Sequence, residues 1–138
     1  MHEVLQPPAW VKPIGYSNGV AATGRMVFIA GQIGWNAQGA FETDDFVAQT
    51  RQALANVVTV LRQAGGEPDH VTSMTWYMTD KQDYLSNLKP IGTVWREIMG
   101  RSFPAIAAVE VAGLIENRAK IEIQATAVIP EAQVRPGG

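Results

Sequence analysis

Two apolar segments near the C-terminus decide the fold of this chain: residues 103–114, FPAIAAVEVAGL, and residues 120–127, KIEIQATA. Both are rich in small and β-branched residues, a composition typical of strands. In the second segment, alternation places the two isoleucines on one face of the strand and Glu122 and Gln124 on the other. A carboxylate in such a strand is either a residue of a solvated sheet face or part of a functional site.

The segments before these strands predict two helices and another strand. Apolar residues at helical spacing follow Thr43, a residue type that caps helices, and stop at a glycine pair after Ala64. Pro90 suits the first turn of a second helix, whose apolar stripe ends at Gly100. Residues 71–79 are rich in β-branched and aromatic side chains, which predicts a strand.

Two short segments near the N-terminus predict a β-hairpin. Residues 19–22 and 26–32 have strand composition, and Gly24 supplies the backbone dihedrals of a tight turn between them. With strands at 105–111 and 119–129, the predicted order is β-β-α-β-α-β-β. This order predicts an α+β fold in which two helices cover one face of a mixed sheet.

The second face of the predicted sheet is left without helices. Ala, Val, Thr and Ile dominate the strands at both odd and even positions, so this face is also apolar. Large exposed apolar surfaces are rare in monomers, and the pattern therefore predicts association of subunits through the sheet.

The composition restricts the class of function. The chain has 138 residues, 46% of them hydrophobic and 17% charged, which is typical of one globular domain. A net charge of −2 does not favour nucleic-acid binding, and the lack of cysteine excludes disulfides, thiolate nucleophiles and cysteine metal sites. The N-terminus lacks signal-peptide features, and no apolar run reaches the roughly 20 residues of a membrane helix. We expect a cytoplasmic protein that binds neither nucleic acid nor membrane.

The chain divides into three regions. Residues 1–13 contain three prolines and predict an extended N-terminal arm. Residues 14–130 form the single predicted domain. Residues 131–138 are predicted to be a loose C-terminal tail.

Several polar residues are better explained by structure than by chemistry. His2 and His70, the only two histidines, are far apart in the sequence and lack the partners that a catalytic triad or a metal site needs. Asp44 and Asp45 are explained by capping and by the helix dipole. Gly31 and Gly34 have neither the spacing nor the strand-turn-helix context of a dinucleotide fingerprint. The sequence therefore predicts no metal and no cofactor.

Glu122 is the candidate catalytic residue. If its sheet face lines a subunit interface, partial burial would make the carboxylate a stronger base for activating a water molecule, and Gln124 would add a donor and an acceptor. If the face is solvated, both are surface residues. Tyr16 and Trp35 flank the predicted hairpin and supply either an aromatic wall or core packing. Arg118 lies in the turn before the last predicted strand, and a turn arginine is usually solvated.

A set of segments in this chain also matches a known family. The matching segments are 14–15, 24–33, 52–57, 64–66, 103–105, 109–112 and 121–123. Taken together, residues 13–129 resemble the RidA/YjgF family of reactive-intermediate deaminases. The resemblance implies a chorismate-mutase-like α+β fold and a homotrimer with a small-molecule cleft between neighbouring subunits. Deaminating members hydrolyse short-lived enamines and imines, such as 2-aminoacrylate, to a keto acid and ammonia without a cofactor.

The residues carried over from the family identify a divergent member. Glu122 matches the water-positioning glutamate, and Gly31 matches a backbone position beside the ligand. The arginine that binds the substrate carboxylate is replaced by Ile106, which removes a bidentate, charge-assisted contact. Ala30 and Ala108 replace a serine and a cysteine of the family. With Glu122 as the catalytic residue and no metal, the candidate substrate-binding set is Tyr16, Ala30, Gly31, Trp35, Ile106, Ala108 and Gln124.

Two functions remain open after this comparison of residues. In the first, the protein is a deaminase or hydrolase whose more apolar cleft accepts a less acidic or larger enamine-type metabolite than 2-aminoacrylate. In the second, it is a trimer that binds small molecules or proteins without turnover. The labels ribonuclease and translation inhibitor are also attached to the family, but this sequence offers neither the basic groove nor the acid/base pair that RNA cleavage needs.

Overall fold

A computed structural model describes residues 2–131 of the chain, so the predicted C-terminal tail lies almost entirely outside the described residues. The strands are β1 (Glu3–Leu5), β2 (Gly19–Ala21), β3 (Arg25–Ile33), β4 (Val71–Met78), β5 (Ala105–Glu110) and β6 (Ile121–Ile129). The helices are α1 (Phe46–Gln63), α2 (Lys81–Leu85) and α3 (Leu88–Met99), and a 3-10 turn at Pro68–His70 precedes β4.

The main sheet has four strands in the order β3-β6-β4-β5. Strand β6 lies in the interior of the sheet, antiparallel to both β3 and β4, whereas β4 and β5 are parallel. A parallel pair needs a crossover connection, which α2 and α3 provide. The mixed sheet confirms the predicted α+β fold class.

The predicted hairpin between the second and third strands is wrong. Strand β2 pairs with β1 of the N-terminal arm to form a separate two-stranded sheet, and β3 pairs with β6. Gly24 has a positive φ of 152°, and a Cβ at this position would lie 2.1 Å from the carbonyl oxygen of Ile129. The glycine is therefore needed for close approach to the end of β6 rather than for a hairpin turn.

The predicted number of helices is too low, because Lys81–Leu85 form a third helix, α2. The Asp80 carboxylate accepts a hydrogen bond from the backbone N–H of Gln82, and Glu110 accepts one from the N–H of Lys81. These two contacts cap the start of a five-residue helix that has no buried residue. Such a short helix has no apolar periodicity that a sequence pattern could reveal.

Both long helices pack on one face of the sheet, as predicted. The core consists of apolar residues from α1, α3 and the facing side of β3, β4 and β6, among them Leu54, Val57, Leu61, Trp76, Trp95, Ile121 and Ile123. An exposed ion pair of 2.6 Å between Arg51 and Glu97 joins α1 to α3. The hydrogen bond and charge of Arg51 lower the pKa of the Glu97 carboxyl.

Gln49 is a fully buried amide whose hydrogen bonds join two segments that are distant in the sequence. Its amide nitrogen donates to the carbonyl oxygens of Thr43 and Arg118, both at 3.0 Å, and its amide oxygen accepts from the N–H of Lys120 at 2.9 Å. One side chain thus joins the segment before α1 to the segment that leads into β6.

We predict that Gln49→Leu lowers the free energy of unfolding by about 3 kcal/mol, because three hydrogen bonds of about 1 kcal/mol each are lost. Denaturant unfolding followed by fluorescence measures the change. Gln63→Leu makes the same substitution at an exposed end of α1 and should change stability by less than about 0.5 kcal/mol. Equal losses in the two variants would contradict the role of the Gln49 hydrogen bonds.

Candidate functional site

Glu122 lies on the sheet face that the helices leave open. Ile121 and Ile123 are fully buried in the core, so the residue between them points to the opposite face, where it is half-buried. In the sheet, Glu122 is paired with Ile33 of β3 on one side and with Tyr77 of β4 on the other. The predicted alternation of this strand is confirmed.

A bulge in β3 brings the backbone of Gly31 against the Glu122 carboxylate. The register of β3 against β6 shifts between Ile29 and Gln32, which inserts one extra residue on the β3 side. A Cβ at Gly31 would lie 2.1 Å from Oε2 of Glu122 and 2.7 Å from its Cδ. Glycine at this position therefore leaves room for the carboxylate.

Gln124 is the next residue of β6 on the open face. It is exposed, and its amide oxygen accepts a hydrogen bond of 3.3 Å from the Tyr77 hydroxyl. Glu122, Gln124 and Gly31 thus share one face of the sheet, around Tyr77, and we call this set the carboxylate half-site.

A groove of about 690 Å³ lies on the other side of the sheet, between edge strand β5, α3 and the segment before β2. Its lining residues are Ile14, Gly15, Tyr16, Trp76, Tyr84, Leu88, Lys89, Ile91, Gly92, Trp95, Arg96, Phe103, Ile106 and Ala108. Trp76 and Trp95 are buried, and neither indole nitrogen has a hydrogen-bond partner within residues 2–131. We call this cavity the aromatic groove.

Tyr16 is held beside the aromatic groove by its neighbour Ser17. The Ser17 N–H donates to the carbonyl oxygen of Pro104 at 2.9 Å, and its hydroxyl donates to the carbonyl oxygen of Phe103. Ser17 also forms a single parallel bridge with Ala105 at the start of β5. These contacts place Tyr16 at the end of the strand that carries the other groove residues of the candidate set.

The structure separates the candidate residues into two groups. Tyr16, Ile106 and Ala108 line the aromatic groove, whereas the carboxylate half-site faces away from it. The reason is the pleat of β4: Trp76 pairs with Ala108, and the next residue, Tyr77, pairs with Glu122 on the opposite face. A ligand in the groove of one chain therefore cannot touch Glu122 of the same chain.

Two other candidate residues do not line the aromatic groove. Ala30 is exposed in the β3 bulge, where its carbonyl oxygen accepts from the side chain of Gln32. Trp35 is half-buried in the loop after β3, with its ring 6.0 Å from that of Phe41 and its carbonyl oxygen bound by Asn56. The substrate-binding roles of these two residues stay predictions.

Arg118 does not supply a cation to the aromatic groove. Its guanidinium forms an ion pair of 3.0 Å with Asp44 and lies 5.4 Å from the centre of the Phe41 ring. This places the arginine beside the start of α1, where it stabilises the loop before the helix.

Sequence reasoning missed most of the aromatic groove. Trp95 lies in the second predicted helix, where it counts only toward the apolar stripe, and Tyr84 lies in α2, which was not predicted. Phe103, Lys89 and Arg96 were not singled out as ligand contacts. These residues come from separate elements, so only the folded chain brings them together.

The described part of the chain contains neither a cluster of metal ligands nor a helix that could span a membrane. No group of three or more His, Cys, Asp or Glu side chains within residues 2–131 is arranged to hold a metal ion. No helix in the same range is long and apolar enough to cross a membrane.

The mixed sheet, the helices on one face and the groove at the sheet edge define a small α+β protein of the chorismate-mutase-like type. Residues 9–129 match the family model described as Endoribonuclease L-PSP. The chain therefore belongs to this family, which is the RidA/YjgF family of the sequence resemblance.

Individual relatives agree with this assignment. A RutC family protein of Pyrococcus horikoshii is 38% identical over 92% of this chain and 98% of its own length. A 2-iminobutanoate/2-iminopropanoate deaminase of Capra hircus is 33% identical over 88% of this chain and 83% of its own. The crystal structure of YyfB, a protein of the conserved Rid family from Yersinia pestis, superposes with a TM-score of 0.83 at 34% identity, covering 93% of this chain and 98% of that one.

We predict that Gly31→Ala forces the Glu122 carboxylate into another rotamer, because the new methyl group would overlap it. A crystal structure of the variant measures the displacement. The cost in stability should stay below about 1 kcal/mol, since the end of a glutamate side chain is flexible.

Gly113→Ala is the matched control, because a Cβ there meets no described atom within 4 Å outside its chain neighbours. This variant should leave Glu122 in place. An unmoved Glu122 carboxylate in Gly31→Ala would contradict the close contact on which the carboxylate half-site depends.

Proposed function

We propose that this protein is a cofactor-independent deaminase that hydrolyses the C=N bond of an imine, or the imine tautomer of an enamine, to a carbonyl compound and ammonia. The observation that carries the proposal is the Glu122 carboxylate, half-buried on the open sheet face and in contact with the backbone of Gly31. The deaminase name of the Capra hircus relative supports the same reaction class.

The proposed reaction needs one base and one water molecule. Glu122 removes a proton from water as the oxygen attacks the C=N carbon, and it then passes this proton to the former imine nitrogen. The resulting carbinolamine loses ammonia when its C–N bond breaks and its hydroxyl becomes a carbonyl. The change is a hydrolysis without net oxidation or reduction, so no redox cofactor is required.

The complete site requires a second copy of the chain, because Glu122 and the aromatic groove lie on opposite sides of one sheet. The open face carries exposed apolar side chains, including Phe28 at 73% and Met26 at 57% exposure. Their burial favours association through this face, in a homotrimer according to the family resemblance. The groove runs along edge strand β5, where a neighbouring subunit can bring its own Glu122 to the ligand.

The lining of the aromatic groove argues against 2-aminoacrylate as the best substrate. Ile106 occupies the position of the family's carboxylate-binding arginine, and Ala108 beside it is also apolar. A small substrate whose carboxylate met Ile106 would lose a charge-assisted hydrogen bond of about 1.5–3 kcal/mol. We therefore propose a substrate that is larger or less acidic at this position.

We predict that Glu122→Gln lowers the rate of ammonia release from imines at least about 100-fold, because the amide cannot act as a base. The assay uses imines made in place by an amino-acid oxidase from aliphatic and aromatic amino acids. Glu116→Gln, at an exposed glutamate of the loop before β6, should retain full activity. If the wild-type protein accelerates none of these hydrolyses, the deaminase proposal is wrong and a non-catalytic binding trimer becomes the better explanation.

We also predict that Ile106→Arg raises kcat/KM for 2-iminopropanoate by about 10- to 100-fold, the value of one charge-assisted carboxylate contact. Ile106→Met introduces an unbranched apolar chain of similar volume without a charge and should give no gain. Steady-state kinetics on both variants measure the difference. An unchanged kcat/KM in Ile106→Arg would show that position 106 does not face the substrate carboxylate.

A further inference from the structure

The walls of the aromatic groove are built from ring systems. Trp95 and Phe103 are stacked with an interplanar angle of 9° and a centroid distance of 5.8 Å, and Trp76 meets Tyr84 edge-on at 6.2 Å. Phe103 remains 38% exposed and Tyr16 42% exposed, so ring surface is left for a ligand to cover. Aromatic groups pack favourably in stacked and edge-on arrangements of this kind.

The size of the groove also points away from small imino acids. A volume of about 690 Å³ falls within the range of about 300–1,000 Å³ that is typical of sites for drug-sized ligands. A three- or four-carbon compound would leave most of the aromatic wall in contact with water. A ligand that carries a ring of its own would cover it.

The two charged residues of the aromatic groove are both positive and lie on one face of α3. Lys89 and Arg96 of α3 are the only charged residues among the described groove-lining residues. They are seven positions apart, which places them on the same side of the helix, two turns from each other. Both are exposed, and neither has a carboxylate partner within residues 2–131.

The Arg96 guanidinium lies close to Gly92 at the mouth of the groove. A Cβ at Gly92 would lie 3.5 Å from Nη1 of Arg96, so the guanidinium extends along the helix surface over this glycine. A second contact, of 3.4 Å from Nη2 to the Thr93 hydroxyl, holds the side chain in the same direction. The cationic group thus lies over a residue that itself lines the groove.

We infer that the aromatic groove selects a 2-imino acid with an aryl side chain, and that Lys89 and Arg96 bind its carboxylate in place of a cation at position 106. The inference rests on the proposed function and specifies its substrate class. The ring lies among Trp95, Phe103 and Tyr16, while the carboxylate remains at the mouth. In a 2-imino acid the C=N carbon is bonded to the carboxylate carbon, so this orientation also leaves the reacting carbon at the mouth, where a neighbouring Glu122 can approach.

Binding of stable analogues tests the inference without turnover. The probes are 3-phenylpropanoate, its neutral amide and propanoate, each titrated into the wild-type protein by isothermal calorimetry. We expect 3-phenylpropanoate to bind at least tenfold more tightly than either of the others. Equal affinity for the amide would overturn the role of the carboxylate, and equal affinity for propanoate would overturn the role of the ring.

Charge removal identifies the residues involved. The double variant Lys89→Gln/Arg96→Gln should bind 3-phenylpropanoate at least tenfold more weakly and the amide with unchanged affinity. Lys12→Gln/Arg25→Gln removes two exposed charges that do not line the groove and should match the wild type. Wild-type affinity of the Lys89/Arg96 variant for 3-phenylpropanoate would overturn the assignment of these two cations.

Turnover with the same proteins separates this inference from the proposed function. Tight binding of 3-phenylpropanoate without hydrolysis of any imine would refute the deaminase and keep the aryl carboxylate as the ligand class. Hydrolysis of aliphatic and aryl imines with equal kcat/KM would keep the deaminase and overturn the aryl selectivity. The expected result is a kcat/KM at least tenfold higher for the imine of phenylalanine than for that of alanine, and a kcat/KM for the imine of phenylalanine at least tenfold lower in Lys89→Gln/Arg96→Gln than in the wild type.

Discussion

The side-chain alternation of strand β6 is the constraint on which the rest of the structure depends. The strand lies in the interior of the sheet and is paired on both edges, so its register cannot change without breaking two ladders. A slip by one residue would bury Glu122 and expose Ile121 and Ile123, which are fully buried. The burial of two isoleucines therefore also keeps the carboxylate on the open face.

Backbone contacts around the strand determine how closely other segments approach the site. The β3 bulge places Gly31 against the Glu122 carboxylate, and Gln49 joins the segments that precede α1 and β6. On the other side, the hydrogen bonds of Ser17 attach the segment that carries Tyr16 to the start of β5. Each half of the proposed site is thus positioned by hydrogen bonds or close packing of neighbouring strands and loops rather than by mobile side chains alone.

In the proposed function, Ile106 stands at the position of the family's carboxylate-binding arginine, and the groove binds a different substrate rather than none. Ile106 makes the inner part of the groove apolar, while Lys89 and Arg96 keep positive charge at its mouth. Cations at an exposed mouth cost less to desolvate than a buried arginine, and they favour a ligand with an apolar body and an anionic end. In the proposed trimer, the same mouth is where the carboxylate half-site of a neighbouring chain would complete the reaction centre.

The sequence by itself determined α1, α3, the strands of the main sheet and the two faces of β4 and β6, because apolar periodicity within one segment reports which side is buried. The catalytic role of Glu122 and the replacement of an arginine at position 106 stay predictions. The tertiary structure alone decided that β2 pairs with β1 while β3 pairs with β6. Strand partners depend on contacts between residues that are distant in the sequence, such as the close approach of Gly24 to Ile129 at the end of β6. Only the folded chain brings Tyr16, Trp76, Trp95 and Phe103 into one groove and places Glu122 on the opposite face of the sheet. The reason is that a cavity is formed by side chains from several elements, and no local sequence pattern indicates which of these side chains meet.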